Sequence, residues 1–507
     1  MSRADRLALV LSLVGILATY LVTVQIFEGI PHIEDEFAYV WQADLVAKGH
    51  LTMPSPPDSL SFLVPFVIDH NGVRFGKYPP GWPVLLGIGV FLGARSLVNP
   101  LLAGLAIWLT YVLAKKIMGE TVGLLAAGLT VSSPFFLMNS GSLLSHTFGL
   151  VLTIGFVLAW LDSFGDRHLP PKKLSTLTAA GTLGVLAITR PWTALAVGLP
   201  FGLYSLFLLV RGDGQIRRHL LAMGVILAVF GSLFFLWQYA VTGDVLLDPY
   251  TLWWPYDKIG FGQGYGVTEQ GHTLRQAYIN TRFSIRAGFR DLFGWGAYSW
   301  IFLPFGLVAM ILRRNWRALL ASSTIICLIL LYLAYWVGSW LFGPRYFLEG
   351  LFSLTLLSGA GIAFLAGWPI GPEERWRSYQ GWKRLRPLLL TAFLALLVSG
   401  NLLFYTPIRM HTMQALYGIE RADMEPFLSP QAQELAPALV IVHSKKWMSY
   451  GALLELEDPE LDTPFIFAYS RGPRGDSQLA DDFPLRSIYH YYPEDPYHLY
   501  TAPRPSS

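Results

Sequence analysis

The stretch GIPHIEDEFAYVWQADL, residues 29–45, sets three acidic side chains, Glu34, Asp35 and Glu36, directly after a long apolar run. A charged group at the centre of a membrane helix costs ~2.5–3.5 kcal/mol, so the triplet belongs at an interface, outside the hydrocarbon. Beyond it, Asp35, Tyr39 and Gln42 share one helical face, while Phe37, Val40, Trp41 and Leu45 share another. This pattern predicts an amphipathic helix lying on the membrane, with a carboxylate at its start. One acid would suffice to cap such a helix, and three are present.

The rest of the chain explains why the triplet needs an interface. Of 507 residues, 53% are hydrophobic and 14% charged, against ~25% charged in a soluble domain. Eleven apolar stretches are predicted to span a bilayer, at about 7–27, 98–117, 121–138, 145–164, 174–189, 191–211, 219–241, 297–312, 317–337, 346–367 and 387–406. The basic connections AKKIMGE, DRHLPPKK, RGDGQIRRH, RRNWR and EERWRSYQGWKRLR then fall on the same side as the N-terminal SRADR. The positive-inside rule makes that side cytoplasmic and the C-terminus extracytoplasmic. The N-terminal apolar run is too long for a cleaved leader and reads as a first span. The segment 82–96 is apolar but short, and counting it as a span would invert every later loop, so it reads as interfacial or re-entrant. The single cysteine, Cys327, excludes an intrachain disulfide and a cysteine metal cluster. A net charge of +3 gives no ground for a nucleic-acid partner.

The expected fold is therefore an all-α polytopic membrane protein of about eleven transmembrane helices. Residues 1–406 form its membrane part, with outer loops 28–97 and 242–296. Interfacial helices lie in the first loop. Residues 407–507 differ in character: PALVIVHS, TPFIFAYS and RSIYHYYP read as short strands, giving a small extracytoplasmic α+β domain.

Chemistry-bearing residues collect on the outer side. In VRFGKYPPGWPVLLG two prolines and a glycine pin a turn that sets Lys77 beside Tyr78 and Trp82 at headgroup level. Such a lysine either snorkels to lipid phosphate or meets a phosphate-bearing substrate. His146, in NSGSLLSHTFG, is a metal ligand or a hydrogen-bonding partner. TRPW and LFGPRYFLEG put Arg190 and Arg345 at outer helix ends, against the positive-inside bias, which favours an anionic ligand. In LRQAYINTRFSIRAGFRDLFGW, Arg275, Arg282, Arg286 and Arg290 share a helical face, suited to a membrane surface or to a rim that attracts lipid phosphate. A transporter more often keeps its ionisable groups inside spans, near the midplane. Groups at helix ends and in outer loops favour an enzyme at the outer leaflet.

The motifs DEFAYVWQA, KYPPGWPVLLG and SLLSHT, supported by TRPW and GPRYFLEG, resemble the GT-C superfamily of membrane glycosyltransferases. The similarity is to the family-39-like branch that includes protein O-mannosyltransferases and the aminoarabinose transferase of lipid A. It covers most of the membrane part. The resemblance implies a polyprenyl-phosphate sugar donor and inverting transfer to a lipid, glycan or protein acceptor at the outer face of an inner membrane. By the same resemblance Asp35 would be the general base, with Glu36 beside it. Lys77, Arg345 and Arg190 would stabilise the departing phosphate. Tyr39, Tyr78, Arg282 and Arg286 are further candidate donor contacts, and a divalent metal ion in some relatives makes His146 and Glu36 candidate ligands. The chain departs from the pattern in carrying the extra acid Glu34 and in placing Tyr78 between Lys77 and Pro79. Two other classes remain open: a transporter or flippase of a lipid-linked saccharide, and a membrane scaffold with an outer recognition domain.

Overall fold

The computed structural model describes residues 1–166, 168–374 and 385–505. The basic connection 373–386 lies mostly outside them. Among the described residues, seven helices are long and apolar enough to cross a membrane, or up to nine if each of two bent pairs counts as one span. The architecture is that of a multi-pass membrane protein. Two further expected spans correspond to shorter helices, Lys173–Ala187 of 15 residues and Trp316–Tyr332 of 17.

Each break has a local cause. Glu120–Val131 and Pro134–Gly141 meet at 59°, because Pro134 cannot continue a helix and starts a new one. Ser133 caps that second helix, its Oγ accepting from Phe136 N–H at 3.2 Å. Leu274–Asp291 meets Gly296–Leu312 at 97°, across Gly294 and Gly296, whose φ values are +66° and +58°. Asn401 lies so close that a Cβ at Gly294 would collide with it. Helices pack by close approach where side chains are small: a Cβ at Gly15 would strike Ile107, and one at Gly104 would strike Ile16.

The loop 28–97 contains a three-stranded antiparallel sheet, β1 (Met53–Pro54), β2 (Val67–His70) and β3 (Val73–Gly76), in the order β1-β3-β2. The helix Gly81–Phe91 follows it. Near the C-terminus, β4 (Ala438–Val442), β5 (Phe465–Tyr469), β6 (Ser487–Tyr491) and β7 (Leu499–Tyr500) form a second sheet, in the order β5-β4-β6-β7. Its first three strands are parallel, and β7 is antiparallel to β6.

This segment sits on the first loop. Phe62 joins the apolar cluster of Leu439, Ile466 and Leu479, and Tyr450 donates to Leu63 O at 3.1 Å. That contact revises one expectation. The helix Glu34–Ala47 is not amphipathic at a membrane surface, since both its Phe37 and its Tyr39 faces are buried. Phe37 packs against Trp447, with centroids 5.3 Å apart, so the C-terminal segment covers the face that lipid was expected to take.

Candidate functional site

β3 and the Glu34–Ala47 helix fix the site between them. Gln42, buried on that helix, donates to Tyr78 O at 2.8 Å, and Gly76 lies so close that a Cβ would strike the Gln42 side chain. The backbone leaving β3 is thereby held against the helix, and Lys77 and Tyr78 are delivered next to Asp35. The Tyr78 hydroxyl donates to Asp35 Oδ1 at 2.6 Å, while Arg345 donates to Oδ2 at 3.2 Å.

These groups line a cavity of about 420 Å³, within the size range of small-molecule sites. Glu34, Asp35, Tyr39, Lys77 and Tyr78 come from the first loop; His146, Arg190 and Arg345 come from helix ends far along the chain. Tyr250, Trp254, Tyr332 and Tyr346 add aromatic wall.

Three charged groups stand on that wall. In the first, Asp35 is 23% exposed and paired with Arg345. Burial alone would raise its pKa, but the charges of Arg345 and Lys77 and the Tyr78 hydroxyl outweigh it, and the carboxyl is held below its ordinary value. In the second, Lys77 Nζ lies 3.4 Å from Asp257, with both side chains almost fully buried. The ammonium sits 3.3 Å from the Phe66 ring centroid and within 5.3 Å of those of Tyr78, Tyr250 and Trp254. Burial lowers its pKa despite Asp257 and Asp35. In the third, Arg190 Nε lies 2.9 Å from Glu349, and its other nitrogens reach Ser145 and Tyr332 at 3.3 Å.

No family model and no curated protein sequence matches the chain. Solved structures do. ArnT from Cupriavidus metallidurans, bound to undecaprenyl phosphate, superposes with a TM-score of 0.57 at 13% identity, over 95% of this chain and 89% of that one. ArnT from the same organism in the apo state gives 0.57 at 13%, over 94% and 88%. AglB from Archaeoglobus fulgidus, in complex with an inhibitory peptide and a dolichol-phosphate, gives 0.48 at 13%, over 88% and 63%.

The chain has the fold of ArnT.

Within this fold, the residues expected to act together separate into two sets. Asp35, Tyr39, Lys77, Tyr78, His146, Arg190 and Arg345 share the cavity. Glu36 does not line it. Its carboxylate accepts from the backbone N–H of His32 at 2.9 Å, Ile33 at 3.3 Å and Leu143 at 2.7 Å. Burial nonetheless pushes its pKa up to about 7. Arg282 and Arg286 also lie off the cavity, exposed on the Leu274–Asp291 helix. Glu36 and His146 do not assemble a metal site among the described residues. The Glu36 oxygens are engaged by those N–H donors, and Arg190 Nη1 stands 3.5 Å from His146 Nε2, where a cation would meet its charge. This pair does not fit a metal ion.

Two buried acids escaped sequence reasoning as site groups, Asp257 and Glu349. Each is the counter-ion of a cation that was singled out. The signal available for Asp257 was its place at the end of LWWPYD, the densest aromatic run of the loop 242–296.

Proposed function

We propose that the protein is an inverting glycosyltransferase that moves a sugar from a polyprenyl-phosphate donor to an acceptor hydroxyl at the outer face of the membrane. The observation that carries this reading is the convergence of the Asp35 carboxylate and three cations, Lys77, Arg190 and Arg345, on a single aromatic-lined cavity. Residues 1–406 would be the catalytic part, with the N-terminus in the cytoplasm.

In this mechanism Asp35 accepts the proton of the acceptor hydroxyl as its oxygen bonds to the anomeric carbon. The bond from that carbon to the donor phosphate breaks, its electron pair leaving on the phosphate. A positioned base contributes typically ~10²–10⁴-fold to such a step. The cations offset the charge that develops on the departing phosphate. Arg345 has a second duty, because with Lys77 and Tyr78 it keeps Asp35 ionised and ready to accept a proton. The aromatic wall suits a sugar ring, whose C–H faces pack on aromatic surface. The exposed arginines of the Leu274–Asp291 helix would gather lipid phosphate outside the cavity.

Purified protein in nanodiscs, given a panel of radiolabelled polyprenyl-phosphate sugars and envelope extract, tests the reading. Release of polyprenyl phosphate by the wild type and its collapse in Asp35→Asn are expected. Tight donor binding without release would contradict the enzyme and favour the transporter.

A further inference from the structure

A second group of chemistry-bearing side chains lies outside the cavity, at the carboxyl end of the parallel strands of the C-terminal sheet. β4 and β6 run parallel with Ile441 opposite His490 and Val442 opposite Tyr491. His443, the first residue beyond β4, therefore comes beside His490 near the end of β6. The third member arrives by the connection after β5: the helix Pro473–Asp482 carries Asp476 back over the same edge. His443 Nε2 and His490 Nδ1 are 2.8 Å apart, and a donor atom of each of the three residues lies within 4.8 Å of the others.

We propose that His443, His490 and Asp476 form a zinc site that ties the ends of β4 and β6 to the helix following β5. Two imidazoles and one carboxylate are a donor set that suits zinc, leaving a fourth position for water. Tetrahedral bonds of ~2.0–2.1 Å put neighbouring donor atoms ~3.3 Å apart. The two imidazoles, now 2.8 Å apart, need to part slightly, and the carboxylate, within 4.8 Å of both, to close in.

The surroundings hold the ligands as a metal site requires. Asp476 accepts from Ser470 Oγ at 2.7 Å and from Arg471 N–H at 3.0 Å, which fixes its carboxylate while leaving lone pairs free. The His443 ring stacks on Tyr492 with centroids 4.6 Å apart and planes at 10°, and its backbone N–H donates to Tyr491 O at 2.8 Å. A hydrogen bond between the two imidazoles accounts for their contact, and the largely buried carboxylate beside them supplies a third donor. This site shares no residue with the cavity.

The full-length protein in nanodiscs, stripped with chelator and re-equilibrated with Zn²⁺ alone, provides the test, with bound metal read by mass spectrometry and unfolding followed by heat. The wild type is expected to retain one equivalent of zinc and to unfold at higher temperature with it. His443→Gln and His490→Gln, each made separately and checked for an unchanged elution profile without metal, should lose both the equivalent and the thermal shift. Co²⁺ substitution in the wild type should give the visible bands of a tetrahedral site, a readout that needs no variant. Absence of bound metal in the wild type would overturn the proposal. So would equal retention by the two variants, which would put the ion elsewhere.

Discussion

On the cavity wall, Lys77, Arg190 and Arg345 are largely buried and each stands against a carboxylate. On the Leu274–Asp291 helix, Arg275, Arg282, Arg286 and Arg290 stand exposed. Both regions carry arginine, but the physics differs. An exposed cation is screened within a Debye length of about 8 Å at physiological salt. A buried one keeps its full reach and must be matched by a partner, since an uncompensated charge there is costly. The comparison teaches that the counter-ion, more than the count of positive residues, separates a binding surface from a site.

The comparison can be broken in several places. Asp35→Asn should lower transfer ~10²–10⁴-fold while leaving donor binding measurable by lipid co-purification. Equal transfer in the variant would move the base to another acid. Arg190→Ala and Arg345→Ala should each cost on the order of 10²–10³-fold in turnover, the usual effect of removing a group that stabilises developing negative charge. Lys77→Met should cost about 3–5 kcal/mol of stability, because Asp257 is left buried without its partner. The double variant Lys77→Met/Asp257→Asn should recover the thermal stability and not the turnover; recovery of both would make the pair purely structural. The weakest effect belongs to the exposed helix. Arg282→Gln combined with Arg286→Gln should change donor KM by no more than about fivefold, since exposed charges are worth little, and high salt should erase the difference. A larger, salt-insensitive loss would make that helix part of the site.

Acidic groups outside the spans sharpen the contrast through pH. Burial pushes Glu457 up to about 8, and Glu36 and Asp44 up to about 7. Their folded-state values lie above their unfolded ones, so the stability they contribute is whole below about pH 4. It is lost progressively as pH rises from about 4 through about 7–8. Melting temperature should fall over that interval, and less steeply in Glu457→Gln. Asp35 has the opposite sign: its value is depressed, so its contribution is present at neutral pH and lost only in acid. The acid limb of activity should accordingly lie below the usual carboxylate range.

Much of this arrangement was legible in the sequence, and the failures are instructive. Asp35, Lys77, Arg190 and Arg345 stood out because each broke a rule of membrane chemistry at its own position. Their meeting in one cavity joins segments as much as 310 residues apart, and the GT-C resemblance supplied that link. Glu36 is next to Asp35 in the chain and was grouped with it. Its course is decided by Leu143 N–H, a backbone donor 107 residues away that no local pattern encodes. The burial of the Glu34–Ala47 helix likewise depends on Trp447, some four hundred positions later. The expected single span at 121–138 missed the break before Pro134, because hydropathy runs continuously across it. Counter-ions such as Asp257 and Glu349 were hidden for the same reason as Leu143: pairing is a property of the folded chain.

The measurement that tests the central claim most directly is a cryo-EM map of the protein in nanodiscs with polyprenyl phosphate bound. The account predicts phosphate density inside the cavity, in contact with Lys77, Arg190 or Arg345 and on the same side as Asp35. Phosphate density confined to Arg282 and Arg286 on the exposed helix, with the cavity free of lipid, would contradict it.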